Sequence, residues 1–140
     1  MLEINNLTNF VLDKRSFSTV AKKVLKGENR ETETLSLAFV GKEEIKKLNK
    51  KFRKKNKATD VLSFKLNEGN SLGEIIICPE VVKENAKKYL PAGRQADAFK
   101  KEMIKVFVHG ILHLLGYDHE KSEKEAKTME LKQNKYLLNV

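Results

Sequence analysis

All three histidines of this chain fall within eleven residues, His109-Gly110-Ile111-Leu112-His113-Leu114-Leu115-Gly116-Tyr117-Asp118-His119. Residues four apart on an α-helix are one turn apart on the same face, about 6 Å along the axis, so His109 and His113 can each present a ring nitrogen to one point. A glycine at 116 lets the chain leave that helix through a left-handed conformation and swing His119 back toward the same place. A lone histidine bordering an apolar stripe is usually structural, but three at this spacing read as metal ligands. Three neutral imidazoles with a vacant fourth position describe a catalytic zinc site, because structural zinc sites are usually closed by four protein ligands and commonly include thiolates. The single cysteine, Cys78, lies in an apolar run and reads as a reduced, structural thiol. The expectation is one Zn2+ per chain on His109, His113 and His119.

The rest of the chain must supply a scaffold for that helix. Leu2 and Ile4, with Leu7 beyond them, suggest a first strand. Phe17, Val20, Ala21, Val24 and Leu25 fall at the spacing of a helix with one buried face, and Gly27 supplies a stop. Leu35 to Val40 reads as a second strand ended by Gly41, and Ile45, Leu48 and Phe52 mark a second helix. Val61 to Leu66 and Leu72 to Cys78 predict an antiparallel pair joined by Asn67-Glu68-Gly69-Asn70-Ser71. Pro79 opens a helix through Tyr89 that Pro91-Ala92-Gly93 closes. The histidine helix starts near Ala96 to Lys100 and carries Met103, Ile104, Phe107, Val108, Ile111, Leu112 and Leu115 on a broad apolar stripe. Ser122 with Glu125 predicts a capping box for a last helix holding Met129, Tyr136 and Leu137. The fold class expected is α+β: a single domain over 1–140, helices on one mixed sheet of about four strands, the metal-binding helix at its centre. Leu90 to Ala96 reads as a surface insertion.

A chain of 140 residues buries roughly two-thirds of its unfolded surface and needs no disulfide to fold. Its start lacks a basic segment followed by an apolar core, and no run approaches the ~18 apolar residues of a membrane span, which points to a cytoplasmic protein with no membrane partner. Lys and Arg number 28 against 19 acids, a formal charge of +9 that suits an anionic partner such as RNA. Lys50, Lys51, Arg53, Lys54, Lys55 and Lys57 crowd one short segment, the best candidate for phosphate contacts.

One absence separates two enzyme classes. Metzincin peptidases share the His-x-x-x-His-x-x-Gly-x-x-His spacing, but there the residue after the first histidine is a glutamate serving as general base. Here that residue is Gly110. Peptide hydrolysis without it forgoes a step that general acid–base catalysis typically accelerates by 10²–10⁴-fold, so a zinc peptidase is the weaker alternative.

The block from His109 to His119 resembles the signature of the YbeY family, the bacterial metal-dependent endoribonucleases of ribosomal RNA maturation. A second stretch is similar too: Leu48-Asn49, Arg53, Thr59-Asp60-Val61-Leu62-Ser63-Phe64 and Leu72-Gly73-Glu74-Ile75-Ile76-Ile77. The resemblance implies zinc on the three histidines, cleavage of single-stranded RNA, and work on rRNA of the small ribosomal subunit, including its quality control, with ribosomal proteins or assembly factors as partners. It makes Arg53 a functionally important arginine and Glu102 a family position. Two helical turns place Glu102 on the face of His109, roughly 10 Å toward the helix start, which suits orientation or salt bridging better than ligation. Glu74, Asn56 and Ala58 stand where the family usually has Asp, Asp and Pro. Arg53 can fork onto a phosphate in a bidentate geometry that lysine cannot match; otherwise it is an ordinary solvated charge in a basic run. Arg53 and His113 are the catalytic candidates, and Arg53, Lys54, Lys55 and Lys57 the RNA contacts. Asp118 either forms the turn after Gly116 or holds a histidine ring in one tautomer. Hydroxide at the metal and the substrate's own 2′-hydroxyl both stand as possible attacking groups. A ribosome-bound assembly factor with a structural metal would share the same basic surface and differ only in turnover.

Overall fold

The structure, a computed structural model, describes residues 2–66, 68–88 and 95–138. Along the chain these form β1 (Leu2–Asn6), α1 (Lys14–Gly27), β2 (Thr34–Phe39), α2 (Lys42–Arg53), β3 (Val61–Lys65), β4 (Ser71–Ile77), α3 (Pro79–Lys87), α4 (Gln95–Leu114) and α5 (Glu123–Leu137). The strands make one four-stranded sheet in the order β1-β2-β4-β3. β1 pairs β2 and β2 pairs β4 in parallel, while β3 runs antiparallel to β4 at the edge, as the loop between them predicts. This is the mixed-sheet α+β class expected from the sequence. The helix expected to reach Tyr89 is described to Lys87, and both its Pro91-Ala92-Gly93 stop and the Leu90–Arg94 part of the suspected insertion lie outside the described residues.

Because strand side chains alternate between faces, β2, β3 and β4 divide their residues between two clusters. Leu35, Leu37, Phe39, Ile75 and Ile77 pack with Phe17 and Val24 of α1 and the apolar residues of α4. Leu62, Ile76 and Cys78 join Val40, just after β2, and Ile45 of α2 in the smaller cluster on the opposite face. Cys78 is fully buried there, and burial pushes its thiol above the usual range, in keeping with an inert structural residue.

α4 packs against β3, β4, α1, α3 and α5. Phe107, Val108, Ile111 and Leu112 are fully buried, and Met103, Ile104, Val106 and Leu114 nearly so. A helix apolar on most of its faces belongs in an interior, which is why its stripe in the sequence is so wide. The strip left over runs Glu102, Lys105, His109, His113, in steps of three and four residues, and faces one open cleft.

Gly110 sets how closely α4 approaches the sheet. A β-carbon there would lie 3.1 Å from Ser63 Oγ and 3.2 Å from side-chain atoms of Ile75. Ser63 Oγ in turn donates to the Gly110 carbonyl at 3.3 Å, tying β3 to the helix. Gly27, by contrast, is not the conformational stop expected for α1. The left-handed residue is Asn29, at φ 59, with Asn29 N donating to Lys26 O at 3.2 Å and Arg30 N to Leu25 O at 2.8 Å. Gly27 is small because Tyr136 of α5 lies over it, 2.6 Å from where a β-carbon would stand. Phe52, read as part of the apolar face of α2, is 55% exposed and rests edge-on against Phe64.

Gly110→Ala should therefore overpack the contact between α4 and the sheet and cost about 1–3 kcal/mol of stability, the usual range for an added methylene in a packed interior. Urea unfolding of wild type and variant is the check, the expected change being a lower midpoint with an unaltered slope.

Candidate metal centre

The turn that ends α4 decides where the third histidine goes. Gly116 sits at φ 103, with Gly116 N donating to His113 O and Tyr117 N to Leu112 O, each at 3.0 Å. This is the Schellman arrangement, and its left-handed residue is the one predicted from the sequence. The reversal carries His119 back over the helix. Its ring centroid lies 5.2 Å from those of both His109 and His113, which are themselves 4.7 Å apart. One ligating nitrogen from each of the three lies within 4.8 Å of the others.

The donor set fits a small divalent cation. Nitrogens bound to a tetrahedral zinc at 2.0–2.1 Å stand about 3.3 Å from one another. His109 Nε2 and His113 Nε2 are 3.1 Å apart, close to that spacing. His109 Nδ1 pairs with Gln133 Oε1 at 3.1 Å; an amide oxygen can only accept, so this contact favours the tautomer with the ring proton on Nδ1, which leaves the Nε2 lone pair for the shared point. Burial is the main cause holding the His109 and His113 imidazoles below their usual pKa range, with the neighbouring histidines adding to it. For His109 the Gln133 contact works the other way. The neutral ring is the form a metal binds.

These histidines open on a cleft of about 770 Å³ that Arg53, Lys55, Glu102 and Asp118 also line. Arg53 is the last residue of α2 and exposed, reaching the cleft from the basic segment. Lys54 and Lys57 are exposed but do not border it, and Lys54 is the left-handed residue closing α2, at φ 58. Glu102 lies on the cleft strip of α4. Asp118 Oδ1 accepts from Glu120 N at 2.9 Å, which engages it in the turn. Lys65 of β3, Lys105 of α4 and Lys121 of the following loop add cations that the reading of the basic segment alone did not single out. Gln133 was not legible either: on α5 it is one polar residue among many, and only the packing of α5 on α4 brings it to His109.

A family model described as Endoribonuclease YbeY matches residues 3–140. The chain belongs to the YbeY family. A protein named Endoribonuclease YbeY from Thermotoga neapolitana is 45% identical over 126 residues, 90% of this chain and 79% of that protein. Another of that name from Bdellovibrio bacteriovorus is 47% identical over 108 residues, 77% of this chain and 67% of that protein. A solution structure of TM1509 from Thermotoga maritima matches with a TM-score of 0.71 at 36% identity, covering 98% of this chain and 87% of that one. Two stretches that resemble YbeY proteins in the sequence, the Thr59–Phe64 block and the histidine block, meet in space at the contact of Ser63 with Gly110. Among the described residues, no helix is long and apolar enough to cross a membrane.

The depressed histidines have a consequence for the metal-free protein. Their folded pKa values lie below the ordinary value of 6.5, so between those values and about 6.5 the unfolded chain binds more protons than the folded one. Their contribution to stability is complete above about pH 6.5 and is lost as the pH falls through the folded values. Thermal unfolding in chelator from about pH 7 to 5 should show this decline, and a His109→Gln/His113→Gln variant should show less of it.

Proposed function

We propose that this protein is a zinc-dependent endoribonuclease that cleaves single-stranded RNA in the cytoplasm, acting in rRNA maturation and quality control of the small ribosomal subunit. The observation that carries the reading is the convergence of three imidazoles on one point at the floor of a cleft that Arg53 also enters. The relatives named as endoribonucleases support RNA as the substrate class, and the formal charge of +9 suits a polyanion. Ribosomal proteins or assembly factors would be its further partners.

In this reading His109, His113 and His119 hold one Zn2+, with Gln133 keeping the His109 proton on Nδ1. Such an ion, when bound, polarises a phosphoryl oxygen and lowers the pKa of water. Cleavage of a phosphodiester builds negative charge on the phosphate oxygens. Arg53 can fork onto those oxygens with two parallel hydrogen bonds, and Lys55, Lys65, Lys105 and Lys121 can take the flanking phosphates. Gly110 weighs against a peptidase twice over. It is no base, and a β-carbon there would crowd the side chains of Ser63 and Ile75, so a glutamate in its place would have to push them aside.

The test incubates metal-replete protein and a His113→Ala control with single-stranded RNA, double-stranded RNA and casein. Only the first should be cleaved, and only by the wild type. Cleavage of casein would return the peptidase reading, and no cleavage of any substrate would favour an assembly factor with a structural metal. In single-turnover assays Arg53→Ala should sharply lower cleavage while bound zinc and folding stay nearly unchanged. Arg53→Lys should recover only part, remaining about 1–3 kcal/mol short in transition-state stabilisation, the scale of a charge-assisted hydrogen bond. Full activity in Arg53→Ala would make this residue a surface charge.

A further inference from the structure

His109 and His113 ride on an enclosed helix, whereas His119 lies in the loop between α4 and α5 with its side chain 43% exposed. A loop residue is held only as well as its neighbours are anchored. Two residues before it, the Tyr117 hydroxyl donates to Glu28 Oε1 at 2.5 Å. Glu28 lies 89 positions earlier, at the end of α1, and its side chain is only 10% exposed. Its other oxygen, Oε2, accepts from Lys132 Nζ at 3.1 Å and from the Tyr136 hydroxyl, both on α5.

We propose that Glu28 and Tyr117 form a tether that positions His119 and so fixes the third corner of the metal site. This inference rests on the reading of the three histidines as zinc ligands. The two carboxylate oxygens divide the work. Oε2 is pinned by α5, and Oε1 is left to receive the loop. Burial alone would push the Glu28 acid up, but the donors from Tyr117, Tyr136 and Lys132 outweigh it and keep the group a carboxylate, the form that accepts on both oxygens. Tyr136 can reach Glu28 because Gly27 leaves room for its ring. α5 thus governs two corners of the site: Lys132 and Tyr136 anchor the tether to His119, and the adjacent Gln133 orients His109. Tyr117, which also borders the cleft, and Glu28 act here as positioning residues through the bond between them.

Tyr117→Phe removes one hydroxyl and keeps the ring, so it isolates the tether. Zinc affinity, measured by competition with a chelating dye, should fall about 10–100-fold, the usual effect of losing a group that orients a ligand. The thermal midpoint of the metal-free protein should hardly change. Tyr136→Phe takes a hydroxyl from the same carboxylate without touching the loop, and should lower the thermal midpoint more than the zinc affinity. In NMR spectra of the metal-free protein, the His119 ring signals should shift or broaden in Tyr117→Phe and stay put in Tyr136→Phe. Equal zinc affinity in wild type and Tyr117→Phe would overturn the tether, as would a variant that loses its fold, because the bond would then serve stability alone. A wild type that binds no zinc would overturn the metal site and the tether together.

Discussion

Two side chains one helical turn apart can share an ion only if the helix that carries them neither slides nor rolls, and the seating of α4 meets that condition. Its apolar residues are locked between the sheet and three helices in an interior that, like other protein interiors, does not deform by small continuous shifts. Gly110 brings the helix backbone within reach of Ser63 and Ile75, and the bond from Ser63 Oγ fixes it against β3. His109 and His113 then project from the one strip of α4 that the core leaves open. The left-handed Gly116 returns the chain so that His119 completes the set.

The sheet order explains how distant residues meet there. β3 lies at the edge, antiparallel to β4, and Arg53 at the end of α2 and Lys55 in the loop before β3 border the cleft. Alternation along β3 then sends Ser63 toward α4 and Leu62 and Phe64 toward α2, which accounts for the mixed character of the Thr59–Phe64 block. Cations converge from α2, β3, α4 and the loop after His119, while the histidines on α4 stay neutral through burial. Arg53 and four lysines share the cleft lining with Asp60, Glu102, Asp118 and Glu120, so cations that suit an anionic substrate stand beside neutral His109 and His113, the form that binds a divalent ion.

Much of this is readable from the sequence because it depends on local rules. The period of α4, the glycine exit at 116, the cap at Ser122 and the hairpin of β3 and β4 each follow from spacing and turn chemistry within a few residues. The clustering of the three histidines falls in the same class, since all of them lie on one helix and the loop that leaves it. What escaped notice depends on tertiary packing. Gln133 and Glu28 are ordinary polar residues until α5 and α1 are docked on α4. Gly27 looks like a helix stop, and only Tyr136 shows why it is small. Lys65, Lys105 and Lys121 are scattered in sequence and form a group only around the cleft.

The account stands on three imidazoles sharing one ion with a position left open. Zinc K-edge X-ray absorption of protein loaded with one equivalent of zinc tests that directly. The predicted spectrum has three imidazole nitrogens and one further light ligand at about 2.0–2.1 Å. A sulfur scatterer at about 2.3 Å, or a spectrum that His119→Ala leaves unchanged, would contradict it.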